Sequence, residues 1–223
     1  MPLKKIELFN NQIEYILIDK SIEEQKKEFG QYQINTFLGH TLIISNIKYI
    51  SPELMDFFIN EKNIDINFQD KNGHTFLITS LANNNYKLTN YLLENGANPN
   101  QCNEFQVYPI HLSVTQDLKI TKKLLAAKDF DINIQDDEGS TILMKACSYF
   151  PSVLQEQKSS IQKQIEIIKL LIEHGADPDI KNQEGLTSLD IASNTKKEYK
   201  SFIEHYKITR TPKKQTNKAK KIL

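Results

Sequence analysis

Arginine is almost missing: Arg210 is the single one among 28 basic residues in a chain of 223. That scarcity bears on partners, because Arg is the preferred bidentate reader of carboxylate, phosphate and guanine. Cysteine is scarce too. Cys102 and Cys147 stand in unmatched contexts, which speaks against a disulfide framework or a cysteine-based zinc site and points to a reducing interior. No apolar run approaches the ~20 residues needed to span a bilayer. Ile13 to Ile18 is interrupted by Glu14 with no small-residue cleavage site after it, so no secretory signal is expected and the expected location is the cytoplasm. Net charge is lacking as well. With 28 Lys+Arg against 28 Asp+Glu, neither a globally basic nucleic-acid binder nor an acidic solvating chain is the first reading.

What is present suits a folded chain of one or two domains: 39% hydrophobic and 25% charged residues. The zero charge is a sum of two parts. Residues 207–223 hold Lys207, Arg210, Lys213, Lys214, Lys218, Lys220 and Lys221 and no acid, leaving 21 basic against 28 acidic residues in 1–206, a net of −7.

Two interleaved motifs recur. The first is Phe58–Asn67, Tyr91–Asn100, Leu124–Asn133 and Leu170–Asp179, with Asn63, Gly96, Asp129 and Gly175 in the slot that follows a helix. Gly, Asn and Asp are the residues that tolerate the left-handed conformation that ends a helix there. The second is Gly39–Ile44, Gly73–Ile78, Val107–His111, Gly139–Met144 and Gly185–Asp190. Aligned on Thr41, Thr75, Tyr108, Thr141 and Thr187, its spacings are 34, 33, 33 and 46. An apolar slot (Ile43, Leu77, Ile110, Leu143, Leu189) precedes by three a small or short polar one (Asn46, Ser80, Ser113, Ala146, Ala192). Residues three apart share a helix face, and the small member lets helices approach closely.

A 33-residue unit of the form Asp-x-x-Gly-x-Thr-Pro-Leu-His-x-Ala followed by Leu-Leu-x-x-Gly-Ala-Asp resembles the ankyrin repeat. Asp70–Leu77 with Leu92–Asn98 is a good copy, and Asp136–Leu143 with Leu170–Asp177 is another. The resemblance implies an all-α solenoid of five helix-turn-helix units over residues 34–206; residues 1–33 then read as an N-terminal helical cap, and 207–223, basic and with little to bury, as an unstructured tail. Within the cap, Ile6, Phe9, Ile13 and Ile16 place a helix over Lys5 to Asp19. The family's Pro slot survives only at Pro109 and its His slot only at His111, which implies a stack more reliant on apolar packing. His40 and His74 are read as equivalent repeat positions. The fourth unit carries 13 extra residues, an insertion at about 149–164 expected to form a loop beyond Pro151.

Catalytic signatures are not found: no Gly-rich phosphate loop, Gly-x-Ser-x-Gly elbow or His-Glu-x-x-His. The run Asp136, Asp137 and Glu138 lacks the ligand spacing of a calcium loop and reads as a solvated hairpin tip. No cofactor, metal or small-molecule substrate is implied. The resemblance places the binding surface on the concave face: hairpin tips plus exposed inner-helix positions. Carried over position by position, these are Lys71, Asn72, His74 and Asn83; Glu104, Phe105, Val107 and Gln116; Asp137, Glu138, Ser140 and Tyr149; and Gln183 and Glu184. Phe105 has two readings, an interface anchor or a residue folded against its neighbour. The acids on adjacent tips suggest a protein partner with a basic patch, met by a monomer. The composition also resembles ankyrin proteins of AT-rich organisms, those of intracellular bacteria often being effectors inside a host cell. Two rival classes remain: an enzyme with its site in 149–164, and a nucleic-acid- or membrane-associated adaptor working through the tail.

Overall fold

The computed structural model describes residues 17–18, 20–113, 118–126, 131–148, 158–195 and 197–210. Helices follow one another in pairs: α1 (Ile22–Gly30), α2 (Phe37–Ser45) with a 3-10 turn at Ile47–Tyr49, α3 (Pro52–Asn60), α4 (Phe76–Ala82), α5 (Tyr86–Glu94), α6 (Pro109–Leu112), α7 (Leu118–Leu125), α8 (Ile142–Ser148), α9 (Lys158–Glu173), α10 (Ser188–Thr195) and α11 (Lys197–Arg210). Each inner helix (α2, α4, α6, α8, α10) turns back into an outer helix (α3, α5, α7, α9, α11). One isolated antiparallel bridge, Gln135 with Thr141, is the sheet-like pairing among the described residues.

Local chemistry starts and stops these helices. Thr75 caps α4 by accepting the Ile78 N–H at 3.0 Å. Ser51 caps α3 with Pro52 in its first turn. At α10, Thr187 and Asp190 satisfy each other's backbone N–H groups. The slot after the outer helices is left-handed at Asn63, Gly96 and Gly175 (φ 54°, 91° and 98°), as the sequence predicts; Asp129 lies outside the described residues.

The small slot does what its size suggests. Ser80, Ser113, Ala146 and Ala192 are fully buried, and three of them meet the outer helix of their own unit. Ser80 Oγ and Thr89 Oγ1 share a 2.9 Å hydrogen bond, Thr121 donates to the Ser113 carbonyl, and Gln164 donates to the Ala146 carbonyl at 2.8 Å. Around them one continuous apolar core runs through the stack, including Phe29, Phe58, Leu81, Leu92, Leu124, Leu143 and Leu171. Burial of each such side chain contributes roughly 1.5–3 kcal/mol.

Several expectations change. The first inner helix begins earlier than the alignment on Thr41 puts it: Thr36 is its cap, accepting the Gly39 N–H at 3.2 Å, and Thr41 lies inside the helix. Gly39 is therefore helical and not a hairpin glycine. It is needed because the Ile34 backbone presses on it; a Cβ there would stand 2.1 Å from the Ile34 carbonyl oxygen. His40 and His74 are consequently not equivalent. His40 is buried in α2, donates from Nδ1 to the Thr36 carbonyl (2.6 Å), and accepts the Asp65 N–H on Nε2 (3.2 Å). His111 makes the same kind of link with the opposite tautomer, accepting Tyr108 N–H on Nδ1 and donating from Nε2 to the Ile134 carbonyl. The histidine link is thus present twice.

The cap expected over Lys5 to Asp19 lies almost wholly outside the described residues. The described cap is α1, with a Ser21–Glu24 capping box and Phe29 packed edge-on to Phe58, ring centres 5.0 Å apart. The insertion is not all loop. Residues 158–164 form the start of the 16-residue α9, while 149–157, with Pro151, lie outside the described residues. The last helix runs through Arg210, so 207–210 belong to α11 and not to the tail.

Candidate protein-interaction surface

The hairpins before α4, α6, α8 and α10 are built alike. Asp70, Asn103, Asp136 and Asn182 each accept two backbone N–H groups on Oδ1, from the residues two and four positions on, at 2.8–3.1 Å. A short Asx side chain thereby closes each tip. The tips are then joined by main-chain hydrogen bonds. Glu104 N–H donates to the Asn72 carbonyl (3.0 Å), Asp137 to Phe105 (3.2 Å) and Gln183 to Glu138 (3.1 Å). Gln69 and Gln135 add side-chain bridges to the Cys102 and Lys181 carbonyls. The result is a rigid ladder whose backbone is satisfied and whose side chains project outward.

On that ladder Lys71, Glu104, Phe105, Asp137, Glu138, Gln183 and Glu184 are exposed, and so is Asn83 at the end of α4. Phe105 is 50% exposed, so half of its ring surface faces solvent at the tip. Asn72, His74 and Val107 are half-buried. Ser140 differs from the exposed tip expected of it; it is buried, with its N–H held by Asp136. Gln116 and Tyr149 lie outside the described residues.

Asp136 also departs from the solvated tip foreseen for it. Its carboxylate is buried and 2.6 Å from Lys145 Nζ, which reaches Glu138 at 3.3 Å as well. Burial alone would raise the Asp136 pKa, but the Lys145 ammonium and the Ser140 N–H outweigh it and hold the carboxyl below the usual range. Burial would likewise lower the Lys145 pKa, and its two carboxylate partners reverse that and raise it. The pair stays ionised at neutral pH, leaving Asp137 and Glu138 as the exposed acids of that tip.

His74, Asn83 and Val107 come together in one open groove of about 460 Å³ across the first three units. The sequence reading missed the rest of its lining: Ile44, Ser45, Ile78, Thr79, Ala82 and Leu112 from the inner helices, with Asp70 and Asn103 from the hairpins. A signal was available at one position, since Ile78 stands three past its cap Thr75, where the family carries His; Ile44 lies eight past Thr36 and enters the groove only because the first inner helix starts early. The groove hydroxyls are committed to their own helices: Ser45 donates to the Thr41 carbonyl and Thr79 to the Thr75 carbonyl, both at 2.9 Å. His74 Nδ1 lies 3.4 Å from Asp70 Oδ2, with neither hydroxyl donating to it. Cys147 is buried, which pushes its thiol up to about 12. Among the described residues no three His, Cys, Asp or Glu side chains converge as a metal-binding group, and no helix is long and apolar enough to cross a membrane. The arrangement is a shaped, partly apolar surface with an acidic margin.

Comparison with known proteins agrees with this architecture. The family model for ankyrin repeats matches in three copies, over residues 82–156 and 110–211. Similar proteins include an ankyrin repeat protein of fowlpox virus, 34% identical over 60% of this chain and 38% of its own length. Another is an ankyrin repeat protein of Rickettsia bellii, 30% identical over 74% of this chain and 41% of its own length. A human transient receptor potential cation channel of subfamily A is 27% identical over 74% of this chain and 14% of its own length. The chain thus spans well under half the length of each of these relatives.

Proposed function

The chain belongs to the ankyrin-repeat family, whose repeats are in general protein–protein interaction modules, and from that premise we propose that it binds a protein partner without enzymatic activity. The partner meets the concave groove and the hairpin tips. One observation carries this reading: the main-chain ladder from Asn72 to Gln183 holds the tips rigid while Glu104, Phe105, Asp137 and Glu138 remain exposed. A preformed surface lowers the ordering cost of binding. Its exposed acids favour a partner with a basic patch and speed the encounter. The chain acts as a monomer in the cytoplasm. A narrower form, an effector acting on host proteins, takes its support from the resemblance in composition to ankyrin proteins of intracellular bacteria; recovery of this chain and its captured partners from a host-cell fraction would bear it out.

The test is affinity capture from the native cell with wild type and with a Phe105→Ala, Glu138→Lys double variant. Both sites are exposed, and although Glu138→Lys removes the 3.3 Å partner of Lys145, the 2.6 Å Lys145–Asp136 pair remains, so the fold is expected to hold by circular dichroism. The double variant should lose the partner by about tenfold or more in affinity, a hot-spot aromatic and a reversed charge being lost together. Equal recovery by both proteins would sink the surface assignment. Hydrolase or transferase turnover by the purified chain would sink the non-enzymatic part.

A further inference from the structure

Two features of the surface run into each other. The groove has the buried Ile44 and Ile78 at its floor and the half-buried Val107 and Leu112 on its wall, and its edge residue Asn103 opens the hairpin before α6. From there the ladder carries exposed Glu104, Asp137, Glu138 and Glu184 to the fifth unit. The cations near that line are Lys145, engaged by Asp136 and Glu138, and the exposed Lys181 and Lys71. An occupant matched to both features carries several cations and then an aliphatic side chain along one extended strand.

The chain supplies such a segment. Residues 211–223, outside the described residues, contain Lys213, Lys214, Lys218, Lys220 and Lys221, no acid, and then Ile222 and Leu223. The position is right as well. After Asn60, Glu94 and Glu173, the outer helices lead through short loops to the hairpins at Asp70, Asn103 and Asn182, so outer helices end on the hairpin side, and α11 delivers Arg210 there. Thirteen residues reach up to ~43 Å at ~3.3 Å each. Three helix layers at roughly 8–10 Å separate the fifth unit from the groove, about 30 Å in all. Order matches too: the lysines pass the fourth and fifth tips first, and the aliphatic pair arrives last.

We propose that residues 211–223 lie across this surface of their own chain, lysines against the carboxylates of the tips and Ile222 and Leu223 in the groove, and that a partner must displace them. This rests on the reading of the surface as the binding face. A tether of this length gives an effective concentration of the order of 1 mM. A contact worth only ~0.1 mM in trans is then occupied about nine-tenths of the time and weakens partner binding about tenfold.

Amide NMR spectra of the full chain and two full-length variants test it. One variant carries Ser in place of all five lysines; the other carries Ile222→Ser and Leu223→Ser. The first should shift the amides of Glu104, Phe105, Asp137 and Glu138, and the second those of Ile78, Val107 and Leu112. The first set of differences should shrink as salt rises and the screening length falls from ~10 Å at 0.1 M to ~3 Å at 1 M. The five-lysine variant should also bind the captured partner about tenfold more tightly. Shifts confined to α11 would overturn the contact, and shifts that grow with protein concentration would overturn its intramolecular form by assigning it to a second copy. If capture is lost with Phe105→Ala, Glu138→Lys while the tail variants change nothing, the tail contact fails and the binding face stands. If the tail variants shift the tips but capture ignores the double variant, the binding face fails instead.

Discussion

His111 is a buried imidazole whose two nitrogens are both spoken for, one by the Tyr108 N–H and one by the Ile134 carbonyl. Burial disfavours its charged form and sets its pKa below the ordinary 6.5; the Ile134 bond and Asp136 offset this in part, and Lys145 adds to it. The unfolded chain therefore takes up the proton more readily than the folded one. The His111 contribution is fully present above about pH 6.5 and is lost as pH falls through the folded value. Chemical denaturation at pH 7 and pH 5 should show wild type losing stability on acidification, with a shallower loss in His111→Gln. Equal slopes would contradict the assignment. Asp136 illustrates the same scale: an acid in a run of three is the buried one because Lys145, nine positions on, turns back onto it.

At the scale of elements, the hairpin is the unit that sets the surface. Gly139 has a φ of 74°, and a Cβ placed there would stand 2.9 Å from the Gln183 backbone nitrogen in the next hairpin. Gly139→Ala thus combines left-handed strain, about 1–2 kcal/mol, with a wedge between two tips. We expect a loss of roughly 2–4 kcal/mol in total, together with faster hydrogen exchange at the Gln183 amide. A loss below about 1 kcal/mol would mean the tips are not held as tightly as the ladder indicates. The hairpin before α6 meets the same φ requirement with Gln106 at 52°, which is why its tip departs from the family's glycine and yet keeps the hydrogen bonds of the others. Much of this scale was readable from residue types: Asx at the start of each tip, Thr at the caps, and Asn63, Gly96 and Gly175 after the outer helices all carry their geometry within four or five residues.

The whole molecule is a stack in which each unit leans on its neighbours. Asn67 and Asn133 tie successive loops: Asn67 accepts the Asn98 N–H and donates to the Gly96 carbonyl, and Asn133 does the same with Asp177 and Gly175. On the outer side Tyr91 donates to Asp56, and Lys123 reaches Glu94 at 2.6 Å. Stability in such arrays is approximately a sum of unit and neighbour terms. Leu92→Ala, at a fully buried site, should cost about 2–4 kcal/mol. Hydrogen exchange should rise in α3 to α7 well before α10 and α11. A uniform rise along the chain would show a single cooperative unit instead.

The amino-acid sequence by itself determined the repeat, its period, the helix pairs and, from the second unit on, the small buried slot, because each of these needs only residue type and spacing within one unit. Tertiary structure decided four other things. It set the early start of α2, where the Ile34 backbone closes on Gly39; the burial of Asp136 under Lys145; the helical start of α9 inside the insertion, where Gln164 reaches the Ala146 carbonyl; and the groove in which Ile44, Ile78 and Leu112 meet Val107. Each of these depends on which atoms arrive from a neighbouring turn, helix or unit. Local spacing carries the period of a solenoid, but the shape and charge of its surface come from contacts between units.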